Sequence, residues 1–504
     1  MFNKVLVANR GEIAVRVMRA LAEMGIRSVA VYSEADRDAY HVQFAEQAYA
    51  IGPAESSKSY LNMDPILEAA RRSGSQAVHP GYGFLAENPG FAEACEQMGL
   101  AFIGPTPDAI ETMGSKTGAR KKMLSAGVPV IPGHDEPLVS EEEALAIARE
   151  LGYPVLFKAV AGGGGKGMRV VHEDSEVPAA LRATRGESLS AFGSAEIYME
   201  KYITEPRHVE IQILADRQGH AIHLGERECS IQRRYQKLVE ESPSVAVDPD
   251  LRMRMGETAV RAAGAVGYRN AGTVEFILGA DGKFYFLEMN TRLQVEHPVT
   301  EMVTGVDLVK EQIRIAAGEP LRIQQADVAP NGWAIECRVY AEDPARQFMP
   351  SVGAVRWLRT PEGPGVRIDS GIAQGSEVSL YYDPMISKLV TWGGHRDEAI
   401  ARMRRALEEY VISGVQTTIP FHRWVMGHPR FQSGKFHTGF IDESFRAAEA
   451  LALSDDDRTA AVIAAALKYH DNQFPESRER SGRLTSGWKV AGRCQLQTRR
   501  VGRL

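Results

Sequence analysis

Residues 273–290 read TVEFILGADGKFYFLEMN, and how that segment pairs decides the fold around it. Two apolar runs flank Asp281-Gly282, a strong signal for a two-residue hairpin turn. Pairing outward from the turn sets Ala280 opposite Lys283 and ends with Glu275 opposite Glu288. Directly opposed residues share one face, with Cβ atoms about 4.5–5.5 Å apart. Two ionised carboxylates so placed repel each other, and a divalent cation converts that repulsion into a site. Asn290 points to the same face and offers a third oxygen. Hard oxygen donors suit Mg2+, which takes one or two carboxylates plus substrate phosphates. Two blander readings stay open: an exposed face that tolerates two acids, and a register shifted at a bulge.

The strand is expected to run on past Asn290. Asn290, Arg292, Gln294 and Glu296 alternate with Met289, Leu293 and Val295, and Pro298 favours extended backbone at His297. An extended chain would carry amide, guanidinium, amide and carboxylate along one face. That is an active-site strip or, in the alternative, a solvated edge. WAIECRVYAE (333–342) alternates likewise, with Trp333, Ile335, Cys337 and Val339 on one face and Glu336 and Arg338 on the other. Arg338 alone reads more readily as a surface ion pair.

Upstream, VLFKAVAGGGGKGMRVV (155–171) places Lys158 in an apolar strand before four glycines. Gly162, Gly164 and Gly167 satisfy the dinucleotide fingerprint, but that fingerprint must pass from strand into helix, and MRVV is strand-like. A P-loop is excluded because Gly167 follows Lys166. What remains is a glycine hairpin, either a flexible surface loop or one that folds over phosphates and donates backbone N–H groups to them.

KVLVAN (4–9), the helix-spaced Ile13, Val17, Leu21 and Met24, and RSVAVYS (27–33) form a β-α-β opening, which predicts a parallel sheet. GSKTGARKKMLSAG (114–127) predicts a basic helix, EEEALAIAREL (141–151) another, and residues 456–469 an Ala-rich one. The 504 residues exceed one core, which predicts about three domains. The texture changes near Met113, Asn331 and Phe445. The predicted organisation is therefore 1–112, then 113–330 with a lid at about 131–203, then 331–446, and a basic tail over 447–504. A net charge of −6 gives no sign of bulk nucleic-acid or membrane binding. The four cysteines are widely spaced, which argues against zinc or disulfides and fits a reducing cytoplasm. MFNKVLVANRGE does not read as a signal peptide, and no run is long enough to span a bilayer.

These pieces resemble the biotin carboxylases, which are ATP-grasp enzymes. The motifs that carry the resemblance are ANRGEIA (8–14), HPGYGFLAEN (79–88), FIGP (102–105), KAVAGGGGKGMRVV (158–171), EKYI (200–203), PRHVEIQ (206–212), ERECSIQRRYQK (226–237), EMNTRLQVEHPVTE (288–301), ECRVYAEDP (336–344) and YYDPMISKL (381–389). The resemblance implies a Rossmann-like N-terminal domain, an ATP-grasp domain with a glycine-rich lid, and a mixed, β-rich C-terminal domain, α/β and α+β in class. It implies ATP as substrate, with Lys116, Lys158, His208 and Gln232 on the nucleotide, Gly163, Gly164 and Gly165 in the lid, and Glu200, Lys201 and Ile203 at the adenine hinge. Mg2+ or Mn2+ falls to Glu275, Glu288 and Asn290. Bicarbonate falls to Arg292, Gln294 and Val295, with Glu296 as its base, Lys237 near the transferring phosphate, and Arg338 on the biotin enolate. HPGYGFLAEN falls near the site, with no role given to Glu87.

In the family, biotin sits on a Met-Lys-Met lysine. KKM at 121–123 lacks that setting, and the resemblance therefore implies a separate biotin carboxyl carrier protein and a carboxyltransferase subunit. Free subunits of the family pair as homodimers through the third region and the first helix, on which Arg19 and Glu23 fall. Tyr235 departs from the family's histidine, which puts ribose or phosphate contacts there in doubt. SGWKVAGR (486–493) looks like the start of the segment that follows this domain in longer carboxylases; the rest of the tail reads as disordered or as a dock for a partner protein. Acetyl-CoA, propionyl-CoA and pyruvate systems share this component, so the acceptor stays open. The competing readings are another ATP-grasp ligase, a dinucleotide oxidoreductase and a non-catalytic scaffold.

Overall fold

The first strand, β1 (Lys4–Val7), has Val5, Leu6 and Val7 fully buried. Helix α1 (Gly11–Glu23) buries Ile13, Val17 and Leu21, the positions its spacing selects. β2 (Arg27–Ser33) returns parallel to β1, Lys4 against Arg27. With β3 (Gln47–Gly52), β4 (Ala77–His79) and β5 (Ala101–Phe102) they form a five-stranded sheet in the order β3-β2-β1-β4-β5, paired in parallel throughout. The computed structural model describes residues 1–134, 136–160, 168–452 and 455–473, with backbone alone for 116–117, 191–192, 457 and 470–473.

The predicted basic helix spans Lys116–Ser125 and the acidic one Glu141–Leu151. β6 (Gly133–His134), β7 (Val155–Ala159), β8 (Met168–Val171) and β9 (Ile197–Lys201) form a small sheet, β7 and β8 antiparallel with Lys158 against Met168. The chain thus enters and leaves the glycine stretch as strand, which is the context that separates it from a dinucleotide fingerprint. Gly163, Gly164 and Gly165 lie outside the described residues.

The largest sheet carries the chemistry. β10 (Arg207–Ala215), β11 (Ala221–Arg233), β12 (Gln236–Ser242), β13 (Asn270–Leu278), β14 (Phe284–Asn290) and β15 (Trp333–Tyr340) join the strands Met385–Gly393 and Val366–Ser370. Their order is β14-β13-β10-β11-β12-β15, then Met385–Gly393, then Val366–Ser370.

The β13–β14 hairpin closes differently from the expected two-residue turn. Gly279 N–H donates to the Lys283 carbonyl at 2.8 Å, and Gly282 takes φ +74°. The loop is therefore Ala280-Asp281-Gly282, a three-residue form whose last residue needs the left-handed region. The pairing slips by one, Leu278 to Phe284 and Phe276 to Phe286, until a bulge at Leu287 restores it. Glu275 opposes Glu288 after all.

The expected extended strip fails outright. β14 stops at Asn290, the chain bends, and a helix His297–Thr304 begins with Glu296 at its N-cap. Pro298 lies in the first turn of that helix, where its missing N–H costs nothing, so it starts a helix and does not hold an extended chain. The same helix packs against β15. Arg338 is therefore covered, and the surface reading of it is wrong.

Residues from Leu451 form a separate unit, described as a helix, Asp455–Gln473, with Val462, Ile463, Leu467 and Tyr469 exposed. No helix among the described residues is long and apolar enough to cross a membrane.

Candidate active site

The register of four strands builds a row across the sheet: Glu288 on β14 faces Glu275 on β13, Glu275 faces Glu210 on β10, and Glu210 faces Arg227 on β11. Three carboxylates at neighbouring positions need cations. Lys237, on β12 opposite Gln232, supplies one. Its Nζ donates to Glu210 at 2.6 Å, Glu275 at 2.8 Å and Glu296 at 2.7 Å. An ammonium has three hydrogens, and all three are used. Arg227, fully buried, donates to Glu210 at 2.5 Å and also to Gln212, Thr273 and Thr300.

Glu296 is fully buried between two cations: Lys237 holds Oε1, and Arg338 Nη2 holds Oε2 at 2.9 Å. Arg338 Nε reaches Glu240 at 2.6 Å. Burial alone would raise the Glu296 pKa; Lys237, Arg338 and Arg227 outweigh it and hold the carboxyl well below its usual range. Glu275 is lowered in the same way, burial opposed by Lys237 and His208. His208 Nε2 lies 2.7 Å from Glu275. Burial disfavours its charge, but Glu275 prevails and raises its pKa. Lys237 is pushed far up, its three carboxylates overcoming burial.

Glu288 meets solvent, yet crowding by the surrounding protein raises its pKa and the opposed Glu275 adds to the rise. Two carboxylates in register, the pKa of one raised by desolvation and by the other, fit a hard divalent cation. Asn290 Nδ2 donates to Glu275 at 2.8 Å, and its Oδ1 accepts from Arg292 Nη2 at 2.9 Å. Its oxygen thus faces Arg292, and a half-turn of the amide would present it to the carboxylates. Gln294 Nε2 donates to Glu275 at 3.1 Å, and Arg292 Nη1 to Gln294 Oε1 at 3.0 Å. Without the extended strip, Asn290, Arg292, Gln294 and Glu296 still converge, because the bend brings Asn290 and Gln294 to Glu275, Arg292 to both of them, and Glu296 to Lys237 and Arg338.

A second group lies in the small sheet. Lys158 and Glu200 form an ion pair, with Arg120 Nη1 3.8 Å from Glu200. Lys201 Nζ donates to the Gly152 and Tyr153 carbonyls at 2.8 and 2.9 Å, so its ammonium ties β9 to the turn before β7. Ile203 Cγ2 lies 3.6 Å from the place a Cβ on Gly279 would take. Gly279, Leu278, Arg207 and Phe436 line a cavity of about 390 Å3. The Lys116 side chain lies outside the described residues. Tyr235, with Arg234, forms the two-residue β11–β12 turn at φ +65° and +50°, with the Tyr235 ring exposed.

Sequence reasoning missed Glu87, Glu210, Arg227 and Glu240. Glu87 accepts from Arg292 Nε at 2.9 Å and from Thr291 N–H at 3.1 Å. A signal existed for Glu210: His208, Glu210 and Gln212 alternate with Val209 and Ile211 in a buried strand. For Glu87 the resemblance placed the motif near the site but gave no role, and its partner is 205 residues away.

Family models match three segments: the biotin carboxylase N-terminal domain over residues 1–110, the carbamoyl-phosphate synthase L chain ATP-binding domain over 115–324, and the biotin carboxylase C-terminal domain over 336–443. Biotin carboxylase 1 of Bacillus subtilis is 56% identical over 88% of this chain and 98% of its own. This chain belongs to the biotin carboxylase family. The biotin carboxylase of a Nostoc species is 54% identical over 88% of this chain and 99% of its own. The propionyl-CoA carboxylase alpha chain of Ruegeria pomeroyi is 48% identical over the whole of this chain and 75% of its own. The biotin carboxylase domain of Hydrogenobacter thermophilus 2-oxoglutarate carboxylase, solved with MgADP, ADP and bicarbonate, superposes with TM-score 0.83 at 50% identity over 90% of this chain and 100% of its own.

Proposed function

We propose that this biotin carboxylase uses ATP and bicarbonate to carboxylate biotin on a carrier protein, the first half-reaction of a biotin-dependent carboxylase. The observation that carries this reading is Glu296, ionised and fixed between Lys237 and Arg338. Bicarbonate against Arg292, Gln294 and Val295 would give its proton to Glu296. The resulting oxyanion attacks the γ-phosphate of ATP, releasing ADP and forming carboxyphosphate. Carboxyphosphate breaks down to CO2 and phosphate; the phosphate would take the proton from biotin N1, Arg338 would stabilise the enolate-like ring that results, and N1 would then bond to the CO2. Phosphoryl transfer needs positioning and charge neutralisation more than covalent help. Lys237, Lys158, Lys116 and His208 supply the neutralisation, Gln232 lies opposite Lys237 on the nucleotide side, and Glu200, Lys201 and Ile203 form the adenine hinge. Glu275, Glu288 and Asn290 would hold Mg2+ or Mn2+, which adds positive charge at the phosphates. The glycine loop, with Gly163, Gly164 and Gly165, closes as a lid.

The biotin carboxyl carrier and the carboxyltransferase are the partners this reaction requires. A homodimer through α1 and the third region, and a cytoplasmic location, complete the reading. The match to the Ruegeria pomeroyi chain over the full length, tail included, favours a propionyl-CoA system over acetyl-CoA or pyruvate. The test is phosphate release by the purified chain with MgATP and bicarbonate, with and without biotin, then with a biotinylated carrier domain. Release that depends on bicarbonate and rises with biotin or carrier supports the reading. Bound ATP with no response to either points to another ATP-grasp ligase.

A further inference from the structure

Lys388 lies on the strand Met385–Gly393, between Arg338 and Asp369 in register, and is fully buried. A buried ammonium is expected to sit on a carboxylate. Two are in reach, Glu12 Oε1 at 3.4 Å from α1 and Asp369 Oδ2 at 3.9 Å. Neither takes its hydrogen bond. Both Glu12 oxygens are buried without a hydrogen-bond partner, and Asp369 is engaged by Arg367. Nζ donates instead to the backbone carbonyl of Val295 at 2.7 Å.

That carbonyl belongs to the peptide that carries Glu296. The preceding carbonyl, of Gln294, is held at 2.8 Å by His297 Nδ1, so both carbonyls of the turn accept a side-chain hydrogen bond. A turn lacks the ladder that aims side chains on a strand, and this one must aim both Gln294 and Glu296.

We propose that Lys388 is a positioning residue for the bicarbonate site: it fixes the Val295–Glu296 peptide and through it the direction of Glu296. Glu12 and Asp369 lie within 4 Å of the ammonium without taking a hydrogen bond from it. The inference rests on the biotin carboxylase reading and goes beyond it, since Lys388 touches no reacting atom.

The test is steady-state bicarbonate-dependent ATP cleavage by the wild-type chain, by Lys388→Met and by Lys388→Met/Glu12→Gln. The double variant removes cation and carboxylate together and leaves a neutral, similarly shaped interior, which guards against simple misfolding. In both variants the KM for bicarbonate is expected to rise at least about tenfold, while the KM for ATP stays within about twofold. A return of the bicarbonate KM to the wild-type value in the double variant would show that Lys388 only balances Glu12, and overturns the proposal. A parallel rise in both KM values reports general loss of structure and overturns it too. A wild-type chain that binds ATP but shows no bicarbonate-dependent cleavage overturns the functional reading, and this inference with it.

Discussion

Replacing Glu296 with glutamine separates its chemistry from its place in the fold. The carboxylate accepts one charged hydrogen bond from Lys237 at 2.7 Å and one from Arg338 at 2.9 Å. Glutamine keeps one acceptor oxygen and turns an N–H2 toward the other cation. One charge-assisted hydrogen bond is lost, worth about 1.5–3 kcal/mol. Removing a buried charge returns part of that, because desolvation no longer has to be overcome. Lys237 retains Glu210 and Glu275, and Arg338 retains Glu240. The fold should persist, with ATP affinity within about threefold of wild type. Catalysis should not persist. A general base contributes about 10²–10⁴ in rate, equivalent to roughly 3–5 kcal/mol of barrier. The assay is phosphate release at saturating ATP with varied bicarbonate, beside nucleotide binding by fluorescence. A folded, ATP-binding Glu296→Gln variant that kept more than about a tenth of the wild-type rate would refute the base assignment.

Glu288→Gln should raise the Mg2+ concentration for half-maximal ATP cleavage about tenfold or more, since it removes one of two opposed carboxylates; an unchanged Mg2+ titration would exclude Glu288 as a ligand. Glu87→Gln should release Arg292 and raise the bicarbonate KM roughly tenfold with little change in ATP KM, and a rise confined to ATP would contradict the contact. His422 is buried, donates to the Arg338 carbonyl, and burial pushes its pKa down to about 4. The unfolded chain takes up that proton near pH 6.5 and the folded chain does not, so this residue costs stability as pH falls from about 6.5 toward 4. His422→Gln should therefore flatten the acid limb of urea-denaturation stability by about 1.4 kcal/mol per pH unit relative to wild type, and parallel limbs would contradict the shift.

The opposed Glu275 and Glu288 were legible in the sequence, though through two departures that cancel. The loop is one residue longer than Asp281-Gly282 implies, and Leu287 bulges out to compensate. Turn chemistry fixes that loop, and nothing in the letters marks a bulge. The alternation after Asn290 was real but belonged to a bend and a helix start; Pro298 is compatible with both an extended neighbour and a first helical turn, and tertiary packing chose the second. Arg338 alternated as a strand residue should. Its burial depends on a helix packing over β15, which a period of two cannot report. The contacts of Glu87 and Lys388, which sit in quoted motifs, were not legible for a plainer reason: their partners are 205 and 93 residues away.

Lys237, with every hydrogen committed to a carboxylate, has a consequence for the order of events. A phosphate can reach that ammonium only by taking the place of a carboxylate. When Glu296 is the one displaced, the base gains freedom to turn toward bicarbonate at the moment a nucleotide arrives. Until then Oε1 stays on Lys237 and Oε2 on Arg338. On the proposed function, the lysine would thus tie the freedom of the base to the arrival of a phosphoryl group.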